Sequence, residues 1–131
     1  IALLRARERI MVPLREMLQQ SGISEQQWRI LRVLDEADGM EQTAIAHAAC
    51  LQLPSLTRIL KSMEADGLVA RKTDEADRRR TVVTITAEGR SLIARHRARN
   101  AEIFATIEAE FGREKLDLLL DLLDELQQTR I

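Results

Sequence analysis

The stretch PSLTRILKSMEADGLVARKTDEADRRRTVVTITAEG, residues 54–89, changes its period halfway along. At 100° per residue, Leu56, Ile59, Leu60 and Met63 fall within an arc of about 100°, an apolar stripe that needs a core. Arg58, Lys61, Ser62 and the small Ala65 lie opposite, with Ser55 and Thr57 flanking the first turn. Pro54 suits a first helical turn, and Gly67 ends the helix. Beyond Gly67 the residues from Leu68 to Thr73 and from Arg80 to Thr86 alternate and are β-branched, the pattern of two strands. Asp74 to Arg79 between them holds no large apolar group, so it is a solvent-exposed hairpin loop.

Helix and hairpin together point to an anionic partner. An outward face of hydroxyls, arginine and lysine with no acid before Glu64 suits the major groove of duplex DNA. An ordinary solvated face explains the helix alone equally well. The hairpin shifts the balance: Arg78, Arg79 and Arg80 repel one another at an exposed turn, and a narrow tip carries arginine into the negative potential of a minor groove. Asp77 opposes DNA unless it pairs with Arg79 and so aims that guanidinium. The expected DNA contacts are Ser55, Thr57, Arg58, Lys61, Ser62, Asp77, Arg78, Arg79 and Arg80.

Upstream lie three more helical segments. Residues 1–20 carry Leu4, Met11, Leu14 and Leu18 on one stripe, and Pro13 inside it predicts a kink or a late start. Ser24-Glu25-Gln26-Gln27 forms a capping box for a helix that buries Trp28, Leu31 and Leu34 and stops near Gly39. A short alanine-rich helix, Glu41 to Ala49, is joined to the Pro54 helix by Cys50 to Leu53, the length of a helix-turn-helix joint. Downstream, Thr86 caps a long helix to about Glu110, Phe111-Gly112 breaks it, and a last helix follows from Arg113 to about Gln128. In that last helix the leucines cover about 200°, twice what sealing its own domain requires. Leu118, Leu119, Leu122 and Leu126, with Leu4 and Met11 of the first helix, are therefore expected at a seam between two copies. A folded-back monomer is the alternative.

The whole chain of 131 residues fits one domain, expected as a single unit 1–131: a winged helix-turn-helix over 24–86, with dimerisation helices 1–20 and 87–131. The fold class is mainly α with a small β-hairpin wing. The net charge of −1 hides an uneven spread. Residues 41–100 carry eleven basic groups against seven acids, and residues 101–131 carry three against eight. A uniformly basic nucleic-acid coat is excluded, and a basic middle remains. Three aromatics, Trp28, Phe104 and Phe111, cannot build the stacking platforms of single-strand binders. Arg90, Arg95, Arg97 and Arg99 of the long helix are expected mostly to pair with the acidic last helix. No apolar run reaches membrane-span length, and no signal-peptide pattern is present, which predicts a cytoplasmic protein. The chain opens at Ile1 and not at methionine, so residues upstream are to be expected.

A lone cysteine, Cys50, cannot close a disulfide and is expected as a small packing residue without redox use. His47 and His96 lack partners at metal-ligand spacing. No serine sits in an activated-nucleophile context. These features predict no metal, no cofactor and no catalysis.

Ser55-Leu56-Thr57-Arg58-Ile59-Leu60, Met63-Glu64, Asp66-Gly67-Leu68-Val69, Asp77-Arg78-Arg79 and Val83-Thr84-Ile85-Thr86-Ala87-Glu88-Gly89 resemble the signature of MarR-family regulators, in motif order and spacing over essentially the whole chain. Within that family, Glu25-Gln26-Gln27-Trp28-Arg29-Ile30, Ala49-Cys50-Leu51 and Pro54-Ser55-Leu56-Thr57 are similar to the branch of homoprotocatechuate-degradation operon repressors. The resemblance implies a homodimer on a pseudo-palindromic operator, DNA reading by the Pro54–Asp66 helix and minor-groove insertion at Arg79. It also implies a small aromatic acid as effector, with Trp28 stacking on its ring and Arg15 or Arg29 holding its carboxylate. Trp28 as a plain core anchor is the stronger of its two roles. The expected function is a dimeric repressor of an aromatic-compound catabolic operon, released by a phenolic or aryl-acetic acid. A winged-helix protein-interaction module without DNA binding is the competing expectation.

Overall fold

A computed structural model describes residues 1–131. In chain order the elements are α1 (Ala2–Gln19), α2 (Glu25–Asp35), β1 (Met40–Glu41), α3 (Gln42–Ala48), α4 (Leu53–Ala65), β2 (Val69–Thr73), β3 (Thr81–Ile85), α5 (Ala87–Phe111) and α6 (Arg113–Gln127). They fall into two compact units, Ile1–Arg97 and Ala98–Ile131, with α5 running through the boundary.

In the first unit the apolar stripes foreseen from spacing close one core. Ile30, Leu31 and Leu34 of α2, Ile45 of α3, Leu56, Leu60 and Met63 of α4, and Val83 of β3 are all fully buried. The capping box forms as expected: the Gln27 N–H donates to Ser24 Oγ at 3.1 Å, and the Ser24 N–H donates to Gln27 Oε1 at 3.0 Å. Thr86 caps α5, accepting from the Gly89 N–H at 3.1 Å while its hydroxyl donates to the Gly67 carbonyl at 2.6 Å. One side chain thereby ties the exit of the hairpin to the turn that enters it. Gly89 itself is obligatory, since a Cβ there would stand 2.5 Å from the Leu68 carbonyl oxygen.

Three local outcomes differ from the expectations. The sheet has three strands in the order β1-β3-β2, all antiparallel, where only the hairpin was foreseen. The extra strand is two residues long, pairing Met40 with Val83 and Glu41 with Val82, too short to show a period. Gly39 makes room for it, because a Cβ at that position would lie 2.5 Å from Val82 Cγ1. Helix α1 starts at Ala2 and continues through Pro13, so there is no late start; the ring removes one N–H and the remaining turns hold. Cys50 is exposed at φ 58° and does not pack. It occupies the left-handed position that ends α3, where Cys50 N–H donates to the His47 carbonyl and Leu51 N–H to the Ala46 carbonyl. That backbone conformation turns its side chain toward water.

The second unit contains the C-terminal part of α5, Gly112 at φ 101°, and α6. Nothing in α6 is buried. Leu118, Leu119, Leu120, Leu122 and Leu126 all face solvent, each more than a third exposed.

Candidate nucleic-acid interface

Helix α4 presents the expected outer face. Arg58, Lys61 and Ser62 are exposed, and neither cation has an ion-pair partner. Ser55 is half-buried in the first turn. Thr57 is placed differently: its Oγ1 lies 3.0 Å from Gln42 Oε1 on α3 and 3.0 Å from the Leu53 carbonyl oxygen. That hydroxyl joins the two helices of the helix-turn-helix, leaving only its methyl group for a base edge.

The wing divides its arginines. Asp77 Oδ1 accepts from the Arg79 backbone N–H at 3.0 Å and from Arg79 Nε at 3.3 Å, the pairing that aims the guanidinium. The Arg79 side chain is nonetheless 93% exposed. Arg78 is exposed and unpaired. Arg80 turns back toward the body, ion-paired to Glu41 and within 3.9 Å of Asp74 Oδ2. A hollow of about 360 Å³ lies between these parts, lined by Glu41, Gln42, Thr43, Leu53, Arg79 and Arg80 with Thr81. Wing and recognition helix thus border one concave surface.

A second group of expected residues surrounds α2. Trp28 is buried, as the core-anchor role requires. The His96 ring meets it edge-on at 6.0 Å between centroids and 83° between planes. Arg32 stands over it, its guanidinium carbon 5.6 Å from the ring centroid. Arg15 forks onto Glu8 at 2.8 and 2.7 Å and lies 3.5 Å from Glu25 Oε2. The fork holds the Glu8 carboxyl below its ordinary pKa and raises that of Arg15. Arg29 donates to the Ala49 carbonyl at 2.8 Å, and its Nε is buried without a partner. Both expected carboxylate holders therefore have partners to exchange. Arg32, exposed and without an ion pair, is the free cation beside the indole, and sequence reasoning missed it. Its signal was the i, i+4 spacing from Trp28, which puts both on one helix face.

His96 was also missed as anything but a non-ligand. It is buried beside Ser21, and burial first, then the charge of Arg95, lowers its pKa. Two of the α5 arginines find partners other than the acidic last helix: Arg90 pairs with Asp35 at 3.9 Å and Arg99 with Glu102 at 3.2 Å. Of the expected seam residues, Leu4 is 63% exposed, Met11 half-buried, and Leu118, Leu119, Leu122 and Leu126 exposed.

A model of the MarR family matches residues 23–81. The homoprotocatechuate degradative operon repressor of Escherichia coli is 42% identical over 125 residues, which span 95% of this chain and 84% of the repressor. Among solved structures, NadR in complex with 4-hydroxyphenylacetate aligns with a TM-score of 0.84 at 42% identity, covering 99% of this chain and 92% of NadR. The transcriptional repressor CouR bound to a 23-mer DNA duplex aligns with a TM-score of 0.88 at 27% identity, covering 97% and 90%.

Proposed function

This chain belongs to the MarR family of transcriptional regulators, and on that premise we propose that it works as a homodimeric repressor that grips duplex DNA and lets go on binding a small aromatic acid. The observation that carries the DNA part is the shared hollow. Arg79, aimed by Asp77, and the first turn of α4 border the same concavity, so one body offers a helix to the major groove and an arginine to the neighbouring minor groove. Arg58, Lys61 and Ser62 meet base edges or phosphates, Ser55 meets the backbone, and Arg78 adds phosphate attraction.

Dimerisation rests on exposed leucine. Exposed leucines along α6, and Leu4 on α1, are costly in water, and a second copy removes them from it. Residues 1–20 and 87–131 supply that interface, and residues 24–86 read the DNA. Two reading heads about 34 Å apart then demand a pseudo-palindrome. For the effector, Arg32 beside the buried Trp28 is an exposed cation without an ion pair, suited to the carboxylate of an aryl-acetic or phenolic acid; the Trp28 ring joins only by giving up its contact with Arg32, and Arg15 and Arg29 only by exchanging partners. The relation to NadR, whose structure holds 4-hydroxyphenylacetate, supports that class. Release follows if the acid binds one arrangement of the heads more tightly than the other.

The test is a titration of the purified protein against duplex fragments of its own upstream region, with and without 4-hydroxyphenylacetate. Saturable binding at a two-fold-related sequence, weakened by the acid, is expected. Failure to hold any duplex even at low salt would end the proposal.

A further inference from the structure

Arg80 sits in a run of three arginines, yet its surroundings set it apart from the other two. Its guanidinium meets Glu41 and, at 3.9 Å, Asp74 Oδ2, so two carboxylates share one cation. The local charge of the trio is −1, the wrong sign for a phosphate ligand. Its backbone is as engaged as its side chain. The Asp74 N–H donates to the Arg80 carbonyl at 2.9 Å, and the Arg80 N–H donates to the Asp77 carbonyl at 3.0 Å, closing the loop at both ends. Asp74 is itself fixed, since its Oδ1 accepts from the Ala76 N–H at 2.9 Å. Glu41 belongs to β1 and immediately precedes α3, the helix joined to α4 through Gln42 and Thr57. A path of polar contacts therefore runs from the wing loop through Arg80 and Glu41 to the recognition helix.

We propose that Arg80 is a positioning residue and not a DNA ligand: with Glu41 it is the strut that fixes the wing, and so Arg79, relative to α4. A second tie supports the same geometry on the other strand, where Arg71 Nε of β2 lies 3.6 Å from Glu64 Oε2 of α4. The inference rests on the DNA-binding function proposed above. It makes a prediction opposite to simple electrostatics. Removing a carboxylate from a DNA-facing surface ordinarily tightens binding. A strut demands the reverse, because freeing the wing adds an ordering cost to each binding event.

The test uses the purified full chain, a duplex it selects from a random pool, and a duplex of scrambled sequence. Glu41→Gln and Arg80→Gln should each weaken the selected complex about three- to tenfold, the range of exposed ion pairs acting at two wings. The double variant should be no worse than either single one, and the Arg80→Gln salt slope should match the unsubstituted protein. Tighter binding by Glu41→Gln, or a salt slope reduced by about one per wing in Arg80→Gln, would make Arg80 a phosphate ligand and overturn the proposal. Hydrogen exchange of the free protein separates this outcome from a failure of the DNA function. The Asp74 and Arg80 amides should exchange faster in Glu41→Gln whether or not any duplex binds, and unchanged protection would remove the strut.

Discussion

His96 Nε2 lies 2.6 Å from Ser21 Oγ, joining the middle of α5 to the turn between α1 and α2. Arg95 approaches the same hydroxyl with NH1 at 3.5 Å, a donor with nothing to accept. The Ser21 hydroxyl, with one proton and two lone pairs, thus meets both side chains of α5 at once. The ring's edge on Trp28 extends this contact to α2.

Stability should consequently depend on pH in one direction. The folded-state pKa of His96 is lowered by burial and by Arg95, so between that value and the unfolded value of about 6.5 the unfolded chain binds more protons. Stability is complete above about 6.5, falls as pH drops below it, and levels off beneath the folded pKa. Urea unfolding at pH 7.5 and 5.5 should show this loss, and His96→Gln, which keeps an acceptor without the titration, should reduce it. Equal pH sensitivity in both proteins would exclude His96 as the cause.

Arg79→Ala should weaken binding to the selected duplex and flatten its salt dependence by about one counterion for each wing. Asp77→Asn, which keeps the positive charge but loosens its aim, should cost less and leave the slope alone. Affinity measured from 50 to 200 mM salt distinguishes the two. An Arg79→Ala protein with unaltered affinity throughout would take the wing out of the mechanism.

Arg58 stands free on the outer face of α4, so its contribution should be selective. Arg58→Ala should lose about 1–3 kcal/mol of discrimination at one base pair in each half-site while changing scrambled-duplex affinity little. Selection of preferred sequences from a random pool reads this directly. A uniform loss over all sequences would assign Arg58 to phosphate.

Arg32→Ala should abolish release of DNA by 4-hydroxyphenylacetate, with ligand affinity falling at least tenfold, since a charge-assisted hydrogen bond contributes about 1.5–3 kcal/mol. Arg15→Ala should act less, because its guanidinium is already forked onto Glu8. Calorimetric titration of the acid ranks the two. A larger loss from Arg15→Ala would move the carboxylate site toward Glu25.

Leu122→Glu should yield a monomer by sedimentation with helical content retained, because Leu122 is exposed and supports no core within its own chain. Binding to a two-fold duplex should fall far below that of the dimer, and a half-site should be held equally by both. A stable dimer in the variant would place the seam elsewhere.

Much of the fold was legible because its main signals are local. The stripe of Leu56, Ile59, Leu60 and Met63, the Ser24–Gln27 box and the Thr86 cap each depend on residues within a turn or two, and all three stand in the structure, with Ile59 half-buried at the edge of the stripe. The pairing of Asp77 with Arg79 spans two residues and was equally accessible. Strand β1 was not, since two residues carry no period and their pairing is decided by Val82 and Val83 some forty positions away. Exposure of Cys50 was hidden as well, because a positive φ at a helix end leaves no mark on a residue that is not glycine.

Composition and periodicity were enough to establish a helical chain with a basic wing, a helix ready for a groove and leucines in excess, because each follows from side chains a few bonds apart. Tertiary structure alone decided which cations are free. Arg79 and Arg32 are available to an anion while Arg80, Arg15 and Arg29 are held by Glu41, Glu8 and a backbone carbonyl. Arg79 and Arg15 meet acids on their own loop and helix, whereas the partners of Arg80 and Arg29 are acceptors that the fold carries into reach from distant positions in the chain.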